Sequence, residues 1–368
     1  MPVSPLPPRA GISANRLRAP GGPQTHARSG DPVPATVGEW LRAEFPGASD
    51  ADIAGLLRQS DEPPAGRLCD EAGRPVRAED PVVPGGFYWF HRPVPPEERI
   101  PFEIGIVHED ADLLIVDKPH FLASTPNGRF VRECVVTRLR VEREEPDLVA
   151  IHRLDRVTAG LLVLSRRPET RGAYQRLFQD RAVDKTYRAL AAVPAGFDPS
   201  GFPVERRTRL EKEPGTRQML EVPGEPNAHS TVEYLGLAPH VPGGPDVPAG
   251  PDVHVGPVAP DVPGRPDSPG TPDARRTTPR PGDGRGARGI GEFRLTPHTG
   301  RTHQLRVHMN GLGLPILGDP VYPADLAPDS YDFSSPLQLL ADRLAFTDPL
   351  TGTPREFASR MTLSGASG

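Results

Sequence analysis

The sequence predicts an α+β protein, and three observations point to it. After residue 102, short β-rich runs recur, joined by acidic or glycine-containing turns. Three of them, 206–210, 218–222 and 231–237, follow one another as an antiparallel meander does. Helical spacing in that region is confined to 170–180 and to a segment starting at Thr302.

The elements follow in order. Residues 1–35 hold Pro, Gly, Arg and Ser with almost no large apolar side chains, so a disordered arm is expected. From Thr36 the pattern changes. Val37, Trp40, Leu41 and Phe45 recur at helical spacing, and Thr36 with Glu39 fits a capping box. A second short helix is expected over 49–59, and short strands and turns over 74–88. Residues 36–92 therefore read as a small α+β module. Pro93, Pro95 and Pro96 bias the linker after it toward extended backbone.

The main domain is expected over 100–360. Runs 104–108 and 113–116 are β-rich and flank the acidic turn 109–112. Residues 160–164 read as a buried strand. The helix over 170–180 carries Tyr174, Leu177 and Phe178 on one face, and 187–193 is a further strand. Runs 337–346 and 355–358 flank a Thr351-Gly352 turn and form a last hairpin. Residues 239–289 contain 13 Pro and 10 Gly. Such a segment buries too little apolar area to offset its ordering entropy, so it is expected as a disordered insertion between two strands. Its arginine-rich end (Arg275, Arg276, Arg280, Arg285, Arg288) suits either an RNA contact or a solvated charge run.

Composition excludes several classes. A net charge of −5 over 368 residues excludes a uniformly basic nucleic-acid binder, though not a local basic groove. Two cysteines exclude a disulfide scaffold and a Cys-rich zinc site. No apolar run reaches the roughly 18 residues of a membrane span, and no apolar signal core opens the chain. A cytoplasmic protein without a membrane partner is expected.

Three segments could carry chemistry. In 151–160, Asp155 sits among His152, Arg153 and Arg156 just before a buried strand. A carboxylate beside arginine stays ionised and can act as nucleophile or base; the same pattern also suits a structural ion pair. In 184–189, Lys185 and Tyr187 share a strand face, where the tyrosine could stack on a base, move a proton or simply pack. In 297–309, Arg301 and a helix N-terminus could meet phosphate. The three histidines there lack the Cys or acidic partners of a tetrahedral metal set, so no metal is expected. Residues 151–190 hold nine basic side chains against four acidic ones, and 291–310 hold three against one. Positive charge thus gathers at the motifs, as an anionic ligand requires.

These motifs, in this order, resemble the RluA-type RNA pseudouridine synthases: His152-Arg153-Leu154-Asp155 with Thr158-Ala159-Gly160, then Lys185-Thr186-Tyr187, then Gly300-Arg301-Thr302-His303-Gln304-Leu305-Arg306-Val307-His308, then Gly318-Asp319-Pro320-Val321-Tyr322. The resemblance covers about 102–358, apart from the insertion. It implies a mixed, mainly antiparallel sheet with flanking helices and a basic cleft. It also implies isomerisation of uridine to pseudouridine in ribosomal or transfer RNA, with no cofactor; a monomer is expected. Asp155 matches the catalytic aspartate, whose attack on the sugar, attack on the base or removal of a sugar proton stays open. Arg306 matches its arginine partner, and Tyr187 the tyrosine that stacks on the target base. Arg153 matches the arginine that fills the space of the flipped nucleotide. Arg156, Lys185, Arg301 and Gln304 are expected to touch RNA.

The chain departs from the family pattern at Ala159, where Ser is common, and at Asp117-Lys118-Pro119-His120-Phe121, where Asn-Lys-Pro-small-Gly is usual. Leu339-Leu340-Ala341 lacks the usual His. The module over 36–92 occupies the place of an S4-like RNA-binding domain, but 36–99 holds 12 acidic against seven basic residues. A degenerate S4 domain and a protein-contact module both fit. The competing reading of the whole chain is a non-catalytic RNA-binding protein that keeps the cleft; the joint presence of Asp155, Tyr187 and Arg306 speaks against it.

Overall fold

The computed structural model describes residues 4–21, 33–57, 68–92, 94–238 and 287–363. In chain order the elements are β1 (Asn15–Arg18), α1 (Val37–Glu44), α2 (Asp50–Leu56), β2 (Phe87–Phe90), β3 (Gly105–Glu109), β4 (Leu113–Lys118), α3 (Val135–Glu142) and β5 (Val149–Ala150). They continue with β6 (Ala159–Ser165), α4 (Pro168–Gln179), β7 (Asp184–Pro194), β8 (Val204–Lys212), β9 (Met219–Val222), β10 (Ala228–Leu237), β11 (Ala287–Pro297), α5 (Gln304–Gly311), β12 (Leu339–Thr347) and β13 (Pro354–Ala358). They fall into two units, Met1–Pro101 with Ala123–Ala150, and Phe102–Leu122 with Ile151–Gly368.

In the first unit, α1 starts where the sequence places it. Thr36 and Glu39 form the full capping box, and Ser49 with Asp52 forms a second one at α2. The apolar face of α1 then buries Trp40 and Leu41 in a core with Ile53, Val82, Tyr88 and Phe90. The expected disordered arm over 1–35 is corrected in part. Asn15–Arg18 pairs antiparallel with Phe87–Phe90, because Leu17 has an apolar core to pack on and the two strands satisfy each other's backbone groups. The linker is also tied down. The Glu97 carboxylate accepts the backbone N–H groups of Val131, Arg132 and Glu133 at 2.9–3.0 Å. That loop, with α3, therefore joins the first unit rather than the domain in which the sequence places it.

In the second unit the strands run side by side in the order β3-β4-β6-β12-β7-β11-β10-β8-β9, with β13 beside the far half of β12. One neighbouring pair is parallel, β6 with β12; the others are antiparallel. β4 and β6 are buried at every position, the mark of strands covered on both faces. Leu161 and Val163 pack with Tyr174 of α4. Leu305 and Met309 of α5 pack with Phe293, Leu295 and Ala189. The core thus divides between the two helices.

α3 and β11 also escape the sequence reading. α3 is rich in Val and Arg and reads as neither helix nor strand; Cys134 caps it by accepting from Thr137 N–H. β11 begins inside the expected insertion, at Ala287, and Gly289 and Gly291 dilute its alternation. Residues 239–286, with Arg275, Arg276, Arg280 and Arg285, lie outside the described residues, as do Arg58 and Gln59 of the expected second helix.

Candidate active site

Asp155 lies in a turn, closed by Thr158 N–H donating to Asp155 O at 3.1 Å, that leads directly into β6. The next strand over is β12, and beyond it β7. Gly160 pairs with Ala341, and Ala341 pairs with Tyr187 on its other side. One residue of β12 therefore sets the offset between the aspartate turn and the tyrosine. Gly160 has φ +106°, and a Cβ there would lie 2.3 Å from Ala341 O. Only glycine lets the backbones approach this closely.

Arg306 closes the site from α5. Its Nη1 donates to Asp155 Oδ2 at 3.2 Å. Its Nε and Nη2 donate to the two oxygens of Asp319, at 2.8 and 2.7 Å. Asp319 also accepts the N–H groups of Val321 and Tyr322. The Arg306 side chain is 2% exposed, against 28% for Asp155. Burial opposes the guanidinium charge, but the hydrogen bonds and charge of Asp319, followed by Asp155, outweigh it and raise the Arg306 pKa. The result is a fixed cation presenting one nitrogen to a carboxylate that stays reachable from solvent.

Tyr187 is half-buried. Burial, then the negative charge of Asp155, pushes its hydroxyl well above the ordinary range. The hydroxyl is thus held in its protonated form. His303 is the N-cap of α5, with φ +53°. Its Nδ1 is 3.1 Å from the Tyr322 hydroxyl, and its Nε2 is 3.8 Å from Asp155 Oδ2.

Sequence reasoning assigned no role to Lys118, although it quoted the segment. Its side chain is wholly buried, and Nζ donates to the carbonyls of Pro119, Leu122 and Arg156 at 2.8, 2.8 and 3.1 Å. Burial pulls the ammonium down to about 7, with Asp155 opposing and Arg156 assisting. The signal was a lysine at the end of a strand that opens with four apolar residues. Asp117, in place of the usual Asn, accepts from Ser359 Oγ and Arg360 N–H.

The expected RNA-contact residues divide. Arg153 is exposed and has no side-chain partner among the described residues. Lys185 is half-buried on the Tyr187 strand, and burial lowers its pKa. Arg301 is exposed, with Nε on Asn227 O at 3.1 Å. Two others make their contacts inside the protein. Arg156 turns inward and donates to Phe121 O and Ser330 O, because those carbonyls need a donor. Gln304 is 4% exposed. Its amide donates to His229 O and Ser230 Oγ and accepts from Thr299 Oγ1 and Arg301 N–H, which leaves nothing to offer RNA.

The geometry is that of a carboxylate, a pinned arginine and an aromatic ring in one site, able to do acid–base or nucleophilic work on a bound nucleoside. Comparison with known proteins places the chain in a family. The family described as RNA pseudouridylate synthase matches residues 112–311. A dual-specificity RNA pseudouridine synthase RluA of Yersinia pestis is 27% identical over 252 residues, covering 68% of this chain and 96% of the relative. The protein of that name in Vibrio parahaemolyticus is 30% identical over 244 residues, covering 66% and 78%. The solved structure of human RNA pseudouridylate synthase domain containing 1 aligns with 19% identity over 71% of this chain and 91% of its own, with a TM-score of 0.46. Site motifs and relatives together make this chain a member of the RluA-type RNA pseudouridine synthases, enzymes that isomerise uridine in RNA.

Proposed function

We propose that Asp155 is the reacting carboxylate of this isomerisation, with Arg306 holding it and Tyr187 lying against the target uracil. One observation carries the reading: Asp155 Oδ2 is held at 3.2 Å by an arginine whose other donors are locked on Asp319. A carboxylate fixed in this way is pre-organised to act on a sugar–base junction. The bond between N1 and C1′ breaks, the uracil turns, and C5 bonds to C1′. C5 gives up a proton and N1 takes one up. Atoms and electrons balance, so the reaction calls on no cofactor.

A stacked base is out of reach, so the nucleotide is flipped into the cleft. Exposed Arg153 stands beside Asp155 in sequence and fills the gap. In the first unit, Arg16 and Arg18 stand 5.1 and 5.3 Å over the Phe87 ring, with no carboxylate partner among the described residues. They give that unit an RNA-phosphate contact despite its acidic composition.

The substrate is a uridine in structured ribosomal or transfer RNA. The relatives named dual-specificity make more than one target the form to test. The experiment maps pseudouridine in total RNA from cells with the gene, without it, and complemented by Asp155→Ala. Sites lost on deletion and left unrestored by Asp155→Ala support the reading and name the substrates. Restoration by Asp155→Ala refutes the role of Asp155, and no altered site in any strain moves the protein to a non-catalytic role.

A further inference from the structure

We propose that His303 is a positioning residue for Asp155: with its proton on Nε2, it donates to the Asp155 carboxylate while Tyr322 holds the ring. The inference rests on Asp155 being the reacting carboxylate.

Four observations carry it. His303 adopts φ +53°, an uncommon conformation for a side chain of its size, which persists only where the surroundings enforce it. Its ring is gripped edge-on by Tyr322, with centroids 5.7 Å apart at 89°. Nε2 faces Asp155 Oδ2 at 3.8 Å, the same oxygen that Arg306 holds at 3.2 Å. Oδ1 is thereby left without a partner among the described residues, and it is the oxygen available to the nucleoside. Hydrogen bonds in a site without its substrate are often long and close when it arrives.

The tautomer follows from the partners. Tyr322 accepts from Met219 N–H at 2.7 Å, its short bond. Its own proton has two destinations, Met219 O at 3.3 Å and His303 Nδ1 at 3.1 Å. Donation to Nδ1 leaves the imidazole proton on Nε2, facing a carboxylate. Donation to Met219 O would put a bare nitrogen lone pair against that carboxylate. The first arrangement is the favourable one. The charged groups acting on His303 are Asp155 and Asp319 on one side and Arg306 and Arg217 on the other; burial leads, and it favours the neutral ring.

The test uses the full chain with RNA from cells lacking the gene, labelled with tritium at uracil C5, so that turnover releases tritium. His303→Gln places an N–H near the former Nε2. His303→Asn keeps only the Nδ1 side, and Asn tolerates positive φ, so the backbone is not the variable. The expected result is a fall in kcat of about 10- to 100-fold for His303→Asn with KM unchanged, and recovery to within about tenfold of the native rate for His303→Gln. Nitrogen-15 NMR of the imidazoles, with the His303 signal assigned by its loss in His303→Gln, is expected to show the proton on Nε2. Equal losses in both variants at unchanged melting temperature, no loss in either, or a proton on Nδ1 overturns the proposal. Asp155→Asn is measured alongside. Full turnover by that variant sinks the reading of Asp155 itself, whereas the NMR result speaks to His303 alone.

Discussion

Gln304 uses all four of its hydrogen-bonding positions inside the protein, tying the turn before α5 to β10. Gln304→Ala is therefore expected to lower stability by about 2–4 kcal/mol, since buried partners are left unmade. RNA affinity of the folded protein should hold. Arg153→Ala is expected to behave the other way, with stability within about 0.5 kcal/mol of native and weakened RNA binding. Urea unfolding and RNA binding measured on both variants check the pair; parallel effects would sink the distinction. Sequence alone grouped these two residues because it shows donor types and not their partners. Asp155, Tyr187 and Arg306 were legible because each stands in a motif with fixed neighbours. Lys118 was not, because its three acceptors are carbonyls, which every residue has.

Among elements, β6, β12 and β7 decide how the Asp155 turn and Tyr187 are placed relative to each other. Gly160→Ala puts a methyl group into the Ala341 backbone at a φ that disfavours it. The expected cost is about 3 kcal/mol or more, with turnover falling further than RNA binding. Thermal melts and tritium release measure the two effects separately. The elements flanking the sheet also carry a pH dependence. His152 accepts from Val163 N–H and stacks on Phe178. Burial, then Lys185, lowers it to about 3. Burial, then Arg206 and His229, lowers His308 to about 4. Unfolded histidine titrates near about 6.5. Below that value the unfolded chain takes up protons that the fold refuses. Stability then falls with pH by on the order of 1 kcal/mol per unit per histidine. Urea unfolding is expected to show a loss of about 2–4 kcal/mol between about pH 7 and pH 5, reduced in His308→Gln. Stability that holds or rises at the lower pH rules this out. The same scale shows where the sequence speaks plainly. Capping boxes and unmixed apolar runs announce α1, α2, β4 and β6. β11 is hidden because its apolar residues are interrupted by glycine.

For the molecule as a whole, the long segment 239–286 leaves and re-enters the sheet between neighbouring strands. Leu237 pairs with Gly291, and Ala238 N–H donates to Ile290 O at 2.8 Å. The segment is a hairpin connection in the topological sense, whatever its length. Replacing it with a four-residue turn is expected to raise stability by about 2 kcal/mol through a smaller closure entropy, with tritium release retained. A destabilised protein would show that the segment packs on the fold. Composition sets this segment apart in the sequence. The division of the chain was less legible, because it turns on Glu97 gathering a loop some 35 residues away.

The strand that joins the site also fixes when the site can exist. Asp155 enters through β6 and Tyr187 through β7, but β12, between them, is synthesised some 150 residues later. A chain still on the ribosome holds its carboxylate and its aromatic ring on two strands with a gap where β12 belongs. Arg306 and Asp319, too, are made before that gap is filled. On the proposed reading, catalytic competence therefore waits on a strand that carries none of the proposed reacting groups.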